Sequence, residues 1–282
     1  MVRLLVDCDP GHDDAVALVV ASHFGELVGV TTVGGNAPLA DVTTNALLTC
    51  QLFGIDVEVH AGAERPLVAP PRYAPEVHGV SGFGGPALPP LNRAAASAGA
   101  VEYLIETIRS EEGLWLVPIG PLTNVALAFR QAPDLPSRLA GVSFMGGSAT
   151  VGNHTAVGEF NMLVDPEAGA VVLGSGARLH MAGLDLTRQF VIDDGLAAEV
   201  RAIGGQGPAV IADLMVSYLD QVERLGGPRV GGLHDPCAVL AVTHPEVIVS
   251  EPRNVAVELT GTVTRGMTVV DRRSARTGEP NV

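Results

Sequence analysis

The stretch RLLVDCDPGHDDAVALVVAS, residues 3–22, decides the fold. Arg3–Val6 is a short apolar run that reads as a strand, and Asp7-Cys8-Asp9-Pro10-Gly11 ends it with turn residues. Asp13–Ser22 then reads as a helix, with Asp13 and Asp14 in its first turn, where carboxylates suit the helix macrodipole. Leu27–Val33 returns to a buried-strand pattern closed by Gly34-Gly35-Asn36. Strand, helix and strand in that order predict a mostly parallel sheet covered by helices on both faces.

The same alternation runs outward along the chain. A helix is expected over Leu39–Phe53 and a third strand at Val57–Val59. Residues 62–98 interrupt with many Pro and Gly around His78-Gly79, and a long irregular insertion of this kind is usually functional. A helix at Ala100–Ser110, a strand at Leu114–Pro118 and the turn Gly120–Asn124 opening another helix resume the pattern. Val142–Met145 reads as a strand followed by a loop to Phe160, Asp165–Leu173 as a helix and Arg178–Ala182 as a strand. Residues 193–225 read as mostly helical, and His234-Asp235-Pro236 opens one more helix. With no internal repeat or linker, residues 1–282 are expected to form one α/β domain. Its architecture should be a Rossmann-like open sheet with the ligand site at the C-terminal ends of the strands.

Composition removes several chemistries. All 17 basic residues are arginine, so there is no lysine for a Schiff base, a pyridoxal-phosphate anchor or a Walker-type phosphate loop. With 31 acidic residues the formal charge is −14, which argues against a nucleic-acid polymer or an anionic membrane as partner. The longest apolar runs are strand-length, well short of the roughly 20 residues of a membrane span. Asp7 and Asp9 come too early for a signal-peptide apolar region. The three cysteines, Cys8, Cys50 and Cys237, lack metal-ligand spacing and form an odd set. A soluble, reducing, cytoplasmic setting is the expectation.

Polar residues gather at the predicted strand ends: Asp7–Asp14, Gly34–Asn36, Gly120–Asn124, Gly146–Asn161 and His234–Asp235. An acid at a helix start serves as a cap, and one acid is enough for that. Four carboxylates within residues 7–14 repel one another unless a cation sits among them. Oxygen-only ligation of this kind suits Ca²⁺ or Mg²⁺ rather than zinc, although the spacing is not that of an EF-hand. Taken alone, each Asn of these loops also reads as a turn residue, Thr123 as a cap, His234 as a residue beside a helix start, and His78 as an exposed loop histidine.

At this aspartate run the sequence resembles the nucleoside hydrolase family, especially its inosine–uridine-preferring members. Asp7–Asp14 matches the family's DxDPGxDD stretch. The likeness continues in order through Thr31–Asn36, His78-Gly79, Gly120–Asn124, Met145-Gly146-Gly147, Glu159-Phe160-Asn161, Asp165-Pro166-Glu167-Ala168 and His234–Ala238. The resemblance implies calcium-dependent hydrolysis of the N-glycosidic bond of ribonucleosides, giving ribose and a free nucleobase. It implies Ca²⁺ on Asp9, Asp14, the Thr123 carbonyl and Asp235, with Asp9 also the general base toward water. Asp13, Asn36, Asn153, Glu159 and Asn161 would contact the ribose, His78 the base or a lid over it, and His234 would protonate the departing base. His12 falls at a variable family position and is given no role. A homodimer or homotetramer is the implied assembly.

Two departures from the family pattern carry expectations of their own. Leu225–Leu233 contains no aromatic residue, where many relatives place a tyrosine over the nucleobase, so no stacking partner is expected from that segment. Relatives also usually carry a further strand and helix beyond the point matching Val282. Among rival readings, an aspartate-dependent phosphatase needs a lysine this chain lacks. A non-catalytic nucleoside- or calcium-binding protein on the same fold is the remaining alternative.

Overall fold

In the centre of the molecule β1 (Arg3–Cys8) lies between two parallel neighbours, and the rest of the chain is arranged around it. A computed structural model describes residues 1–273 and 278–282. β1 is followed by α1 (His12–Phe24), β2 (Glu26–Thr32), α2 (Leu39–Phe53) and β3 (Val59–Ala61). The short α3 (Pro75–His78) lies inside the irregular stretch. Then come α4 (Ala100–Ser110), β4 (Leu114–Pro118), α5 (Thr123–Gln131) and β5 (Gly141–Met145). Helices α6 (Phe160–Val164) and α7 (Pro166–Leu173) precede β6 (Leu179–Ala182). The six strands form one parallel sheet in the order β3-β2-β1-β4-β5-β6. The α/β class and parallel sheet are those the alternation predicts.

Side-chain alternation along β1 explains the two-sided core. Leu5 packs with Leu116, Val142 and Phe144 among apolar residues of α4, α5 and α7. Leu4, Val6 and Cys8 face the other way, into a second cluster with α1 and α2. Each fully buried leucine contributes about 1.5–3 kcal/mol, so the site rests on a rigid support. After β6 come α8 (Leu184–Thr187), β7 (Val191–Ile192), α9 (Asp194–Ala202), α10 (Gln206–Arg224), β8 (Gly231–Gly232) and α11 (Pro236–Thr243). Of these, α11 packs against α1, β5 and β6. β7 pairs with β8 antiparallel, as do β9 (Val255–Val257) and β10 (Thr268–Val270).

Local differences from expectation are small. The third strand is Val59–Ala61 rather than Val57–Val59, because only those residues pair with Val30–Thr32 of β2. Residues 160–173 are two helices, divided where the Asp165 carboxylate accepts the Ala168 N–H at 3.0 Å and starts α7. Among the described residues no helix is long and apolar enough to cross a membrane.

Candidate functional site

The C-terminal ends of β1, β2, β4 and β5 converge on one acidic centre. Asp7, on the same side of β1 as Leu5, is fully buried. Its Oδ1 accepts hydrogen bonds from Thr31 Oγ1 at 2.6 Å and Asn124 Nδ2 at 2.8 Å. Burial pushes its carboxyl up to about 7. Asn124 also donates to the Thr32 carbonyl at 3.0 Å and accepts from the Ala63 N–H at 2.8 Å. It thereby ties β1, β2, α5 and the irregular stretch together beneath the site.

Asp9, two residues on, is aimed outward from the strand end. Its Oδ2 accepts the Asn36 N–H at 2.6 Å, while its Oδ1 is buried with no hydrogen-bond partner. Gly35 and Gly120 make this approach possible, since a Cβ at either would stand 2.0 or 2.5 Å from an Asp9 carboxylate oxygen. Asp14 does the work of a cap: it accepts the Gly11 N–H at 2.9 Å and the Asp9 N–H at 3.2 Å at the start of α1. It also belongs to a cluster, because one oxygen from each of Asp13, Asp14 and Asp235 lies within 4.8 Å of the others. The cap and cluster readings of the sequence therefore both hold for Asp14.

Electrostatically this centre is unfavourable as it stands. Burial and the neighbouring Asp14 push the Asp9 carboxyl well above the carboxylate range. Burial, with Asp13 and Asp14 nearby, does the same to Asp235, and burial and Asp13 raise Asp14 to about 7. The Asp14 and Asp235 carboxyls are hydrogen-bonded to each other, a contact that needs a shared proton or a compensating cation. An unpartnered buried oxygen and a donor set made only of oxygens fit a hard divalent cation. Thr123 opens α5 nearby; its hydroxyl donates to Asp165 at 2.6 Å, which leaves its carbonyl as the group it can offer to an ion.

Above the acids lies a cavity of about 200 Å³. Asp13, Asn36, Asn153, Glu159, Asn161 and Asp235 supply polar wall, whereas Asp9, Asp14 and Thr123 sit buried behind it. Glu159 caps α6, accepting N–H groups of Asn161 at 2.9 Å and Met162 at 3.1 Å, and also the Gly147 N–H at 2.9 Å. Burial raises its carboxyl nonetheless. Asn161 spends its Nδ2 on the Ile119 and Met145 carbonyls at 2.9 and 3.2 Å. Asn153 Oδ1 accepts the Phe160 N–H at 3.0 Å, which holds its loop against α6. His78 and His234 both reach the cavity, so the structure brings the predicted sugar, base and acid residues to one place.

Three side chains of this site escaped sequence reading. His12 lines the cavity with its Nδ1 2.9 Å from His78 Nδ1, and burial pushes both imidazoles down to about 3. Tyr218 arrives from α10 and stacks on His12 with ring centroids 3.9 Å apart. The segment Leu225–Leu233 indeed lacks an aromatic, but Tyr218 and Phe160 bring two into the cavity from other elements. Thr187 of α8 places its Oγ1 2.7 Å from His234 Nδ1. The hydroxyl can donate to Nδ1 of the neutral ring or accept the Nδ1–H of the imidazolium, and in either case it fixes the ring so that Nε2 is the other nitrogen available for chemistry. Position 218 falls in a stretch read as helical, where periodicity reads such a residue as core, and position 187 falls between the elements read from the sequence.

Comparison with known proteins agrees with this geometry. The model of the family described as inosine-uridine preferring nucleoside hydrolase matches residues 4–282. The chain is 37% identical over 272 residues to the pyrimidine-specific ribonucleoside hydrolase RihB of Escherichia coli, covering 95% of this chain and 87% of that one. Among solved structures it is similar to a purine-preferring ribonucleoside hydrolase from Gardnerella vaginalis, with TM-score 0.87 and 31% identity over 96% of this chain and 88% of the other. A plant nucleoside hydrolase, PpNRh1, aligns with TM-score 0.87 and 26% identity, covering 99% of this chain and 92% of that one.

Proposed function

We propose that this chain, which belongs to the inosine-uridine preferring nucleoside hydrolase family, hydrolyses the N-glycosidic bond of ribonucleosides to ribose and free nucleobase with the aid of Ca²⁺. The observation that carries the reading is the pairing, across one cavity, of a Thr187-oriented histidine with a buried acid cluster. Asp9, Asp14, Asp235 and the Thr123 carbonyl would hold the ion. When bound, it supplies the positive charge that makes a neighbouring water more acidic and offsets the repulsion among the carboxylates.

The chain's own residues account for the remaining chemistry. Asp9 is fixed by Asn36 through Oδ2, and its carboxylate, beside the ion it helps to hold, would take the proton of the attacking water. Asp13, Asn36, Asn153, Glu159 and Asn161 clamp the ribose hydroxyls; Asn161, with its amide nitrogen committed, offers its oxygen as an acceptor. As the glycosidic bond breaks, positive charge grows on the sugar ring, and the surrounding carboxylates stabilise it. His234, as the imidazolium, would donate its Nε2 proton to the departing base while its Nδ1–H is held by the Thr187 hydroxyl oxygen. His78 closes the base end of the cavity.

Relatives named for pyrimidine and for purine nucleosides resemble this chain alike, so the reading takes ribonucleosides as a class. The test is release of free base from inosine, uridine, cytidine and adenosine, with and without a chelator. Calcium-dependent release is the expected result. Full activity in chelator would overturn the cation's role. No release from any nucleoside, with calcium still bound, would make the chain a binding protein on this fold.

A further inference from the structure

The cavity wall holds a second group of possible ligands whose chemistry differs from that of the acid cluster. One donor atom from each of His12, Asp13 and His78 lies within 4.8 Å of the others. His12 Nδ1 stands 2.9 Å from His78 Nδ1, and His12 Nε2 stands 3.7 Å from Asp13 Oδ1. His12 is only 4% exposed, and its Nε2 is buried without a hydrogen-bond partner. Buried polar atoms are nearly always matched, so an orphaned imidazole nitrogen beside a carboxylate calls for a ligand. Gly11 permits the arrangement, because a Cβ there would stand 2.2 Å from His78 Nδ1.

We propose that His12, Asp13 and His78 form a binding site for a borderline transition-metal ion such as Zn²⁺, distinct from the oxygen-only cation position, and that its occupation closes the cavity to nucleosides. Two imidazole nitrogens and one carboxylate favour zinc over calcium, which takes oxygen ligands. Zinc bonds of about 2.0–2.1 Å place tetrahedral ligands roughly 3.3 Å apart, so with the orphaned His12 Nε2 as ligand Asp13 Oδ1 closes in from 3.7 Å, and His78 gives up its 2.9 Å contact with His12 Nδ1 to reach the ion. His78 can do so, being carried on a four-residue helix within the irregular stretch. His12 is held by its stack on Tyr218, which keeps one side of the site fixed. All three residues line the cavity. Asp13 is shared with the Asp14–Asp235 cluster, and an ion on His12 and His78 withdraws it from any sugar in the cavity.

The test reads metal binding directly and so does not depend on the hydrolase reading. Full-length protein in saturating Ca²⁺ is titrated with ZnCl₂ by calorimetry and with CoCl₂ by visible absorption. We expect one ion per chain and the intense bands of four-coordinate cobalt with nitrogen ligands. His78→Ala and His12→Phe should each weaken binding by at least about tenfold, while Asp235→Asn changes it by less than about threefold. His12→Phe retains a ring against Tyr218, and thermal unfolding checks that it folds; if it does not, His78→Ala carries the comparison. Absence of binding, the weak spectrum of six-coordinate all-oxygen cobalt, or undiminished zinc affinity in His78→Ala would each overturn the proposal.

Discussion

Replacing Asp235 by asparagine should change stability in opposite directions with and without calcium. Asp235 is buried, shares a hydrogen bond with the Asp14 carboxyl, and lies within 4.8 Å of Asp13 and Asp14 through one oxygen each. At 4.8 Å and an effective dielectric constant near 20, two ionised carboxylates repel by about 3.5 kcal/mol. A proton shared with Asp14 relieves part of this, so the variant should gain about 1–3 kcal/mol in chelator at pH 8. At roughly 2–4 °C per kcal/mol that is a rise of about 2–12 °C in Tm. Calcium at about 1,000 times its Kd stabilises the wild type by about 4 kcal/mol, most of which the variant forfeits. Differential scanning calorimetry of both proteins in chelator and in excess calcium should therefore show the order of Tm values reversed. A variant less stable by the same margin in both conditions would refute the idea that repulsion among these acids is balanced by a cation.

Other outcomes follow from the same geometry. Asp9→Asn should fold normally and lose about 10²–10⁴-fold in kcat, and near-normal turnover would remove it as the general base. His234→Ala should slow inosine hydrolysis far more than hydrolysis of a nitrophenyl riboside, whose leaving group needs no proton; equal losses would count against its role as the acid. Asn124→Ala leaves Asp7, the Thr32 carbonyl and the Ala63 N–H without their partner, and should cost about 3–5 kcal/mol in urea unfolding. A cost below about 1 kcal/mol would mean water replaces it readily.

How far the sequence carried can be judged from individual residues. Strands β1, β2 and β4 were legible because each is an apolar run ended by Gly, Pro or Asn, and these same strands frame the acids. β3 lies at the sheet edge, where three residues pair and no pattern marks which three. The β7–β8 and β9–β10 pairs are too short to show alternation. The acid run Asp7–Asp14 stood out because four carboxylates next to an apolar strand are conspicuous, whereas the choice of Asp9, Asp14 and Asp235 among the acids came from the family resemblance. Thr187 and Tyr218 did not stand out, since a buried or half-buried helical residue looks the same in sequence whether it faces a core or a cavity. His12 needed the position of His78, 66 residues away, which only the folded chain supplies.

The position of β1 at the centre of the sheet has a consequence for how the chain is made. Its Val6 pairs with Val30 on one side and Val117 on the other, so β1, made before either neighbour, waits for β4 before both edges are satisfied. The acid cluster waits longer, until Asp235 has been synthesised. Loop-closure entropy is paid before such distant contacts give any return. Meanwhile the repulsion among Asp7, Asp9, Asp13 and Asp14 keeps the nascent loop open and hydrated. A cation that needs both Asp14 and Asp235 can therefore be captured only once the chain through Asp235 has been made, acting as a late latch on folding rather than as its seed.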